Sequence, residues 1–141
     1  MQVLTYFRNR QSEDARFYYA FKFAPGSNNK TECIFWADGF SREMYSLYGD
    51  CLSFDTTYKT NRYNLPFAPF VGLSGHGQNL LFACAMVNNE TKDTFKWLFE
   101  TFLHCMGGKH PRTIITNQCV PMGQAIAAVF LSKHRNCFFH F

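Results

Sequence analysis

Asp50-Cys51-Leu52-Ser53-Phe54-Asp55-Thr56-Thr57-Tyr58 reads as a short buried strand that runs into a carboxylate. Aspartate is depleted in strands, and its charge is costly among apolar neighbours. Asp55 therefore needs an explanation. It is either a metal ligand or catalytic acid, or a polar residue that marks the end of the strand.

The flanking chain supplies the frame. Upstream, Ser41 to Tyr48 reads as a helix, with Ser41 as its N-cap and Gly49 as its stop. Asp38 precedes it as a turn or capping residue. Before that, Phe17, Tyr19, Phe21 and Phe23 alternate with other residues, which argues for a strand over Ala15–Phe23. A Pro25-Gly26 turn joins it to a second strand over Glu32–Ala37, so a hairpin is expected. Val3, Tyr6 and Phe7 mark a helix over residues 2–10.

Downstream, Leu65–Leu73 and Leu80–Val87 are apolar strands; Pro66 sits at the start of the first, where proline is tolerated. Thr91–Met106 is the clearest helix. Phe95, Leu98, Phe99, Phe102 and Leu103 share one face, Thr91 is the cap, and Gly107-Gly108 the stop. Arg112–Thr116 is a strand of β-branched residues. Cys119–Phe130 is a helix with Pro121 in its first turn, and Asn136–Phe141 is expected to be a last strand.

The order from Asp50 onward is β-β-β-α-β-α-β. Three meander strands followed by two right-handed crossovers make a mixed α/β sheet with helices packed on it. The expected division is an N-terminal helix and hairpin over residues 1–48 and the sheet domain over residues 49–141.

Composition narrows the class. With 47% hydrophobic and 17% charged residues, the chain can build a core and is not disordered. Seventeen phenylalanines supply much of that core. The net charge of +4 permits contact with nucleic acid without predicting it. The six cysteines form no Cys-x-x-Cys pair and no leader is visible, so reduced thiols and an intracellular location are expected. The longest apolar run, Leu80–Val87, is too short to span a bilayer.

In this order the strand bearing Asp55 and the strand ending at Thr116 can lie side by side and parallel. Their tips then meet at the carboxyl edge of the sheet, where such folds place their sites. Two carboxylates there could hold divalent cations for phosphodiester chemistry. Position 117, beside Asp55, is however asparagine. No Asp or Glu occurs after Glu100 to supply another ligand.

Several motifs together carry a resemblance. They are Ser53-Phe54-Asp55-Thr56-Thr57-Tyr58, Asn64-Leu65-Pro66-Phe67-Ala68-Pro69-Phe70-Val71-Gly72, Phe35-Trp36-Ala37-Asp38, His76-Gly77-Gln78, Trp97-Leu98-Phe99-Glu100-Thr101, Ile114-Ile115-Thr116-Asn117-Gln118 and Cys137-Phe138-Phe139-His140. They cover nearly the whole chain. It resembles the Mutator-like element (MULE) transposase domain, above all the plant far-red-impaired-response family of transposase-derived transcription regulators.

The resemblance implies an RNase H-like fold and a DDE triad with magnesium or manganese. Asp55 matches the first acid. Asn117 stands where the second acid is expected; a Thr-Asp-Gln-Asp pattern reads Thr-Asn-Gln-Cys here. The third acid, a glutamate, belongs to a segment beyond residue 141. The family's zinc-type DNA-binding module and its SWIM zinc finger also fall outside these residues. The resemblance therefore implies a nuclear, DNA-associated role in transcription, with DNA and regulator proteins as partners, self- or hetero-association, and no bound cofactor. The alternatives are a working metal-dependent transposase or a degenerate fragment of one.

Three further features each have a plain alternative. Cys137 and His140 could form half a zinc site, but structural zinc wants four ligands and these two alternate to opposite faces of a strand. Lys59, Arg62, Lys109 and Arg112 lie on loops and could touch phosphates, although such charges are commonly just solvated. Asn117 itself could serve as a helix cap or turn residue.

Overall fold

The computed structural model describes residues 2–27, 30–56, 66–73, 77–117 and 119–137. In chain order the elements are α1 (Gln2–Glu13), β1 (Tyr18–Phe23), β2 (Thr31–Ala37), α2 (Gly39–Tyr48), β3 (Cys51–Phe54), β4 (Phe67–Leu73), β5 (Asn79–Val87), α3 (Lys92–Cys105), β6 (Thr113–Asn117), α4 (Val120–Val129) and β7 (Lys133–Cys137). The strands form one seven-stranded mixed sheet in the order β1-β2-β5-β4-β3-β6-β7. The four pairings from β1 to β3 are antiparallel, and β3–β6 and β6–β7 are parallel. The helices α3 and α4 carry the chain between parallel strands, as hairpin turns cannot. The β1–β2 hairpin joins the same sheet through β2–β5, with Phe35 opposite Ala85.

The core lies between one face of this sheet and α2, α3 and α4. Alternate residues of each strand point into it: Phe35 from β2, Leu52 and Phe54 from β3, Ala68 and Phe70 from β4, Ile114 from β6. They meet Phe95, Leu98, Phe99 and Phe102 of α3 and Met122 and Ile126 of α4. Phe70 stacks on Phe102 with centroids 4.5 Å apart and planes 5° off parallel, and lies 4.6 Å from Phe54. Such aromatic packing gives a domain of this size a large apolar burial from few residues. Tyr45 of α2 closes one end. Its ring meets Phe82 and Phe102 edge-on, and its buried hydroxyl donates to the Lys109 carbonyl at 2.7 Å.

Gly72 is required by this packing. A β-carbon there would lie 2.3 Å from the ring of Phe82, which is fully buried. Gly107 and Gly108 close α3 in the left-handed region, with φ of 72° and 82°, and the Gly108 amide donates to Leu103.

On the other face, α1 lies over the hairpin. Phe7 packs against Phe17, Tyr19, Phe21 and Trp36, with centroids 5.3 to 5.9 Å away. Over β4, β3, β6 and β7, no described helix packs on this face.

Three local expectations are corrected. The N-cap of α2 is Asp38, whose Oδ1 accepts from the Ser41 amide at 2.7 Å; Ser41 lies inside the helix. A carboxylate in extended backbone at the helix start also meets the positive end of the dipole, which favours it over the later hydroxyl. The last strand is Lys133–Cys137 and not Asn136–Phe141; residues 138–141 lie outside the described residues. Finally, Asn117 caps nothing: it is the last residue of β6, and Cys119 is the cap position of α4 without a side-chain cap bond.

Candidate functional site

The carboxyl ends of the parallel strands place the candidate site. Cys51 pairs with Thr113, Leu52 with Ile114 and Ser53 with Ile115. β3 ends at Phe54, and the same register continued by two residues sets position 55 level with Asn117. On the other side of β6, Asn117 pairs with Cys137. The backbone positions 55, 117 and 137 therefore form one row at the tips of three strands. By the alternation of the strands, Asp55 and Asn117 belong to the face that α3 and α4 do not cover.

The two differ from a metal-binding pair in charge. Asn117 brings a neutral amide whose Oδ1 is buried and accepts no hydrogen bond among the described residues. An amide oxygen can coordinate a hard cation, but magnesium and manganese sites are built around more than one carboxylate or a substrate phosphate. Among the described residues, no group of three or more His, Cys, Asp or Glu side chains converges as a metal site. Among the described residues, a single carboxylate beside a single amide does not fit a divalent catalytic centre.

The remaining sequence-derived candidates do not gather here. Arg112 lies at the opposite end of the strands, where its amide and that of Thr113 donate to the Asp50 carbonyl. Four residues of strand, roughly 13 Å, separate that end from Asp55. Lys109 sits at the same far end. Its ammonium donates to the last-turn carbonyls of α2, at 2.9 Å from Ser46 O and 3.5 Å from Tyr45 O, and lies 5.6 Å from the Tyr45 ring centre. A cation there neutralises the negative end of α2. Lys59, Arg62 and His140 fall outside the described residues. Cys137 ends β7 in the tip row, and the cysteines Cys33, Cys51, Cys84, Cys105 and Cys119 are free thiols. Burial pushes the Cys33 thiol up to about 12 and those of Cys84 and Cys105 up to about 11, so these three are inert core groups.

Two arrangements near the tips have little sequence signal. Thr116, buried under α4, is 2.7 Å from Nε2 of His134 on β7. Burial holds that imidazole below its ordinary value of 6.5. On the same strand, Lys133 and Arg135 pair with Thr113 and Ile115 and so share the uncovered face; both are exposed. The signal for this split is the alternation Lys-His-Arg itself, which a polar segment between helix and terminus hides.

The described residues form a mixed α/β sheet with one acid and one amide at the ends of its parallel strands. Residues 51–141 match the MULE transposase domain, and the chain belongs to that family. Relatives of the whole chain come from Arabidopsis thaliana. FAR1-RELATED SEQUENCE 7 is 42% identical over 132 residues, covering 94% of this chain and 17% of the relative. FAR1-RELATED SEQUENCE 5 is 40% identical over 140 residues (98% and 17%), and FAR-RED IMPAIRED RESPONSE 1 is 38% identical over 136 (96% and 16%). The chain thus spans about one sixth of the length of these relatives. No solved structure matches it. Among the described residues, no helix is long and apolar enough to cross a membrane.

Proposed function

We propose that this chain is an RNase H-like, transposase-derived module that has lost metal-dependent DNA cleavage and works as a structural and interaction unit in a nuclear, DNA-associated regulator of transcription. One observation carries the loss of chemistry: the position beside Asp55 holds an amide. A two-metal mechanism needs carboxylates that bridge and fix both ions, and one charge cannot replace them. The RNase H-like reading is supported by the order β5-β4-β3-β6-β7, with an antiparallel meander followed by two helical crossovers to parallel strands. The regulatory role is supported by the relatives, one of which is named for a far-red response and others as related to it. In this reading DNA and regulator proteins are the partners, and Arg112, Lys59 and Arg62 are the basic side chains that would meet phosphates, Lys109 being held at the end of α2. Cys137 and His140 take no metal by themselves.

Asp55 favours a second reading, because the first acid is retained. An active transposase would use it with magnesium or manganese. A strand-transfer assay with purified chain and labelled duplex DNA separates the two. The proposal expects no product in either metal; product formation abolished by Asp55→Ala would overturn it.

A further inference from the structure

The helix α1 is seated on the sheet differently from α3. Where α3 buries Phe95, Leu98, Phe99 and Phe102 among others, α1 buries Phe7 alone of its twelve residues. Leu4 and Arg10 are half-buried, and the rest of α1 is exposed. Among the described residues no ion pair ties α1 to the strands. A helix of this length is marginal by itself, so its docking decides whether it forms.

The contacts it does make are unevenly placed. At its end, the Asp14 carboxylate accepts from the Gly39 amide at 2.8 Å and from the Arg16 amide at 3.0 Å, which fixes the turn after α1 to the start of α2. Only a glycine at position 39 permits that approach, since a β-carbon there would lie 2.8 Å from Asp14 Oδ1. Close to the same turn, Gln11 Nε2 donates to the Phe17 carbonyl at 3.2 Å, and the Arg10 guanidinium lies 5.4 Å from the Phe17 ring centre. Phe7 reaches further, to Tyr19, Phe21 and Trp36. Toward its first turn the helix stands off the sheet. A cavity of about 490 Å³ separates Val3 and Tyr6 from Ile34, Trp36 and Met86. Atoms across such a gap gain no packing from each other, so this half of the helix adds little to its own docking. Elements with few buried apolar contacts open at a lower free energy than the core.

We propose that α1 is a hinged lid. It opens about the Asp14 turn, withdraws Phe7 and uncovers the aromatic strip of Tyr19, Phe21 and Trp36, while the seven-stranded sheet stays folded. The device uses no group of the strand tips, so it and the loss of metal chemistry can fail separately.

The test is hydrogen exchange of the whole chain, followed amide by amide by NMR at low guanidinium concentrations. The amides of Tyr6 to Glu13 are bonded within α1 and report on it. They should exchange at least about a hundredfold faster than those of β2, β5 and α3, with a weaker dependence on denaturant, yet more slowly than a free peptide of the same sequence. Phe7→Ala should bring them to the rate of the free peptide and raise the fluorescence of the apolar dye ANS, while β2, β5 and α3 keep the protection they have in the parent. Exchange of α1 in step with the core in the parent overturns the proposal, because the helix would then open only with the whole domain. Exchange of the parent's α1 at the free-peptide rate overturns it as well, since no closed lid would exist. So does a Phe7→Ala chain that loses protection in β2, β5 and α3 together with α1.

Discussion

Asn117→Asp restores the missing charge and turns the account of the strand tips into a number. Neighbouring parallel strands are about 4.8 Å apart, so two carboxylates at positions 55 and 117 would lie roughly 5 Å from each other. At an effective dielectric of about 20 their repulsion is on the order of 3 kcal/mol. Sharing a proton relieves part of it, as in other paired carboxylates. The variant should therefore melt several degrees lower than the parent at neutral pH, by up to roughly 10 °C at about 3 °C per kcal/mol for a chain of this size. Millimolar Mg²⁺ or Mn²⁺ should restore most of the loss, because a cation between two carboxylates removes the repulsion and binds only the folded state. The parent should barely respond to either ion. Asn117→Ala is the control: it removes a buried oxygen that accepts no hydrogen bond among the described residues and should cost little. Scanning calorimetry with and without metal reads all three proteins. An Asn117→Asp protein as stable as the parent and indifferent to metal would refute the placement of 55 beside 117.

Three other outcomes follow from the packing and the buried groups. Phe70→Ala removes a fully buried ring stacked on Phe102 and should destabilise the fold by about 3–5 kcal/mol, read as a lower urea midpoint at similar slope. Gly72→Ala drives a methyl into the Phe82 ring and should cost about 1–3 kcal/mol, although alanine is otherwise the better strand residue; a neutral result would contradict that close approach. His134 is held neutral by burial, so its contribution to stability is complete above its ordinary value near 6.5 and is lost as pH falls from there through its lower folded value. Stability measured between pH 7 and pH 5 should fall more steeply in the parent than in His134→Gln.

Much of this geometry is written in local patterns. The alternating aromatics of 17–23, the apolar face of 95–103 and the β-branched run before Asn117 each mark one element, because side-chain period follows backbone type. The order of those elements then puts 117 beside 55 before any coordinate is known. Other features leave no such trace. The strand Lys133–Cys137 contains four polar residues; Lys133 and Arg135 are exposed and His134 meets the Thr116 hydroxyl rather than a core, so hydropathy shifts the expected strand toward the phenylalanines that follow. Asp38 and Ser41 are both good caps, and only the backbone conformation chooses between them. The pairing of β2 with β5 joins segments some fifty residues apart, and neither segment encodes its partner. The site was legible in its residues but not in its neighbours. Lys109 reads as a free loop cation, yet it is committed to the end of α2, and the shared face of Lys133 and Arg135 appears only once β7 is in register.

The most direct test of the central claim is a Mn²⁺ titration of the unaltered chain, with free ion followed by electron paramagnetic resonance. One carboxylate beside one amide predicts no saturable uptake at millimolar Mn²⁺ and no difference between the parent and Asp55→Ala. A stoichiometric site in the parent that disappears in Asp55→Ala would show a metal centre still in place and contradict the account.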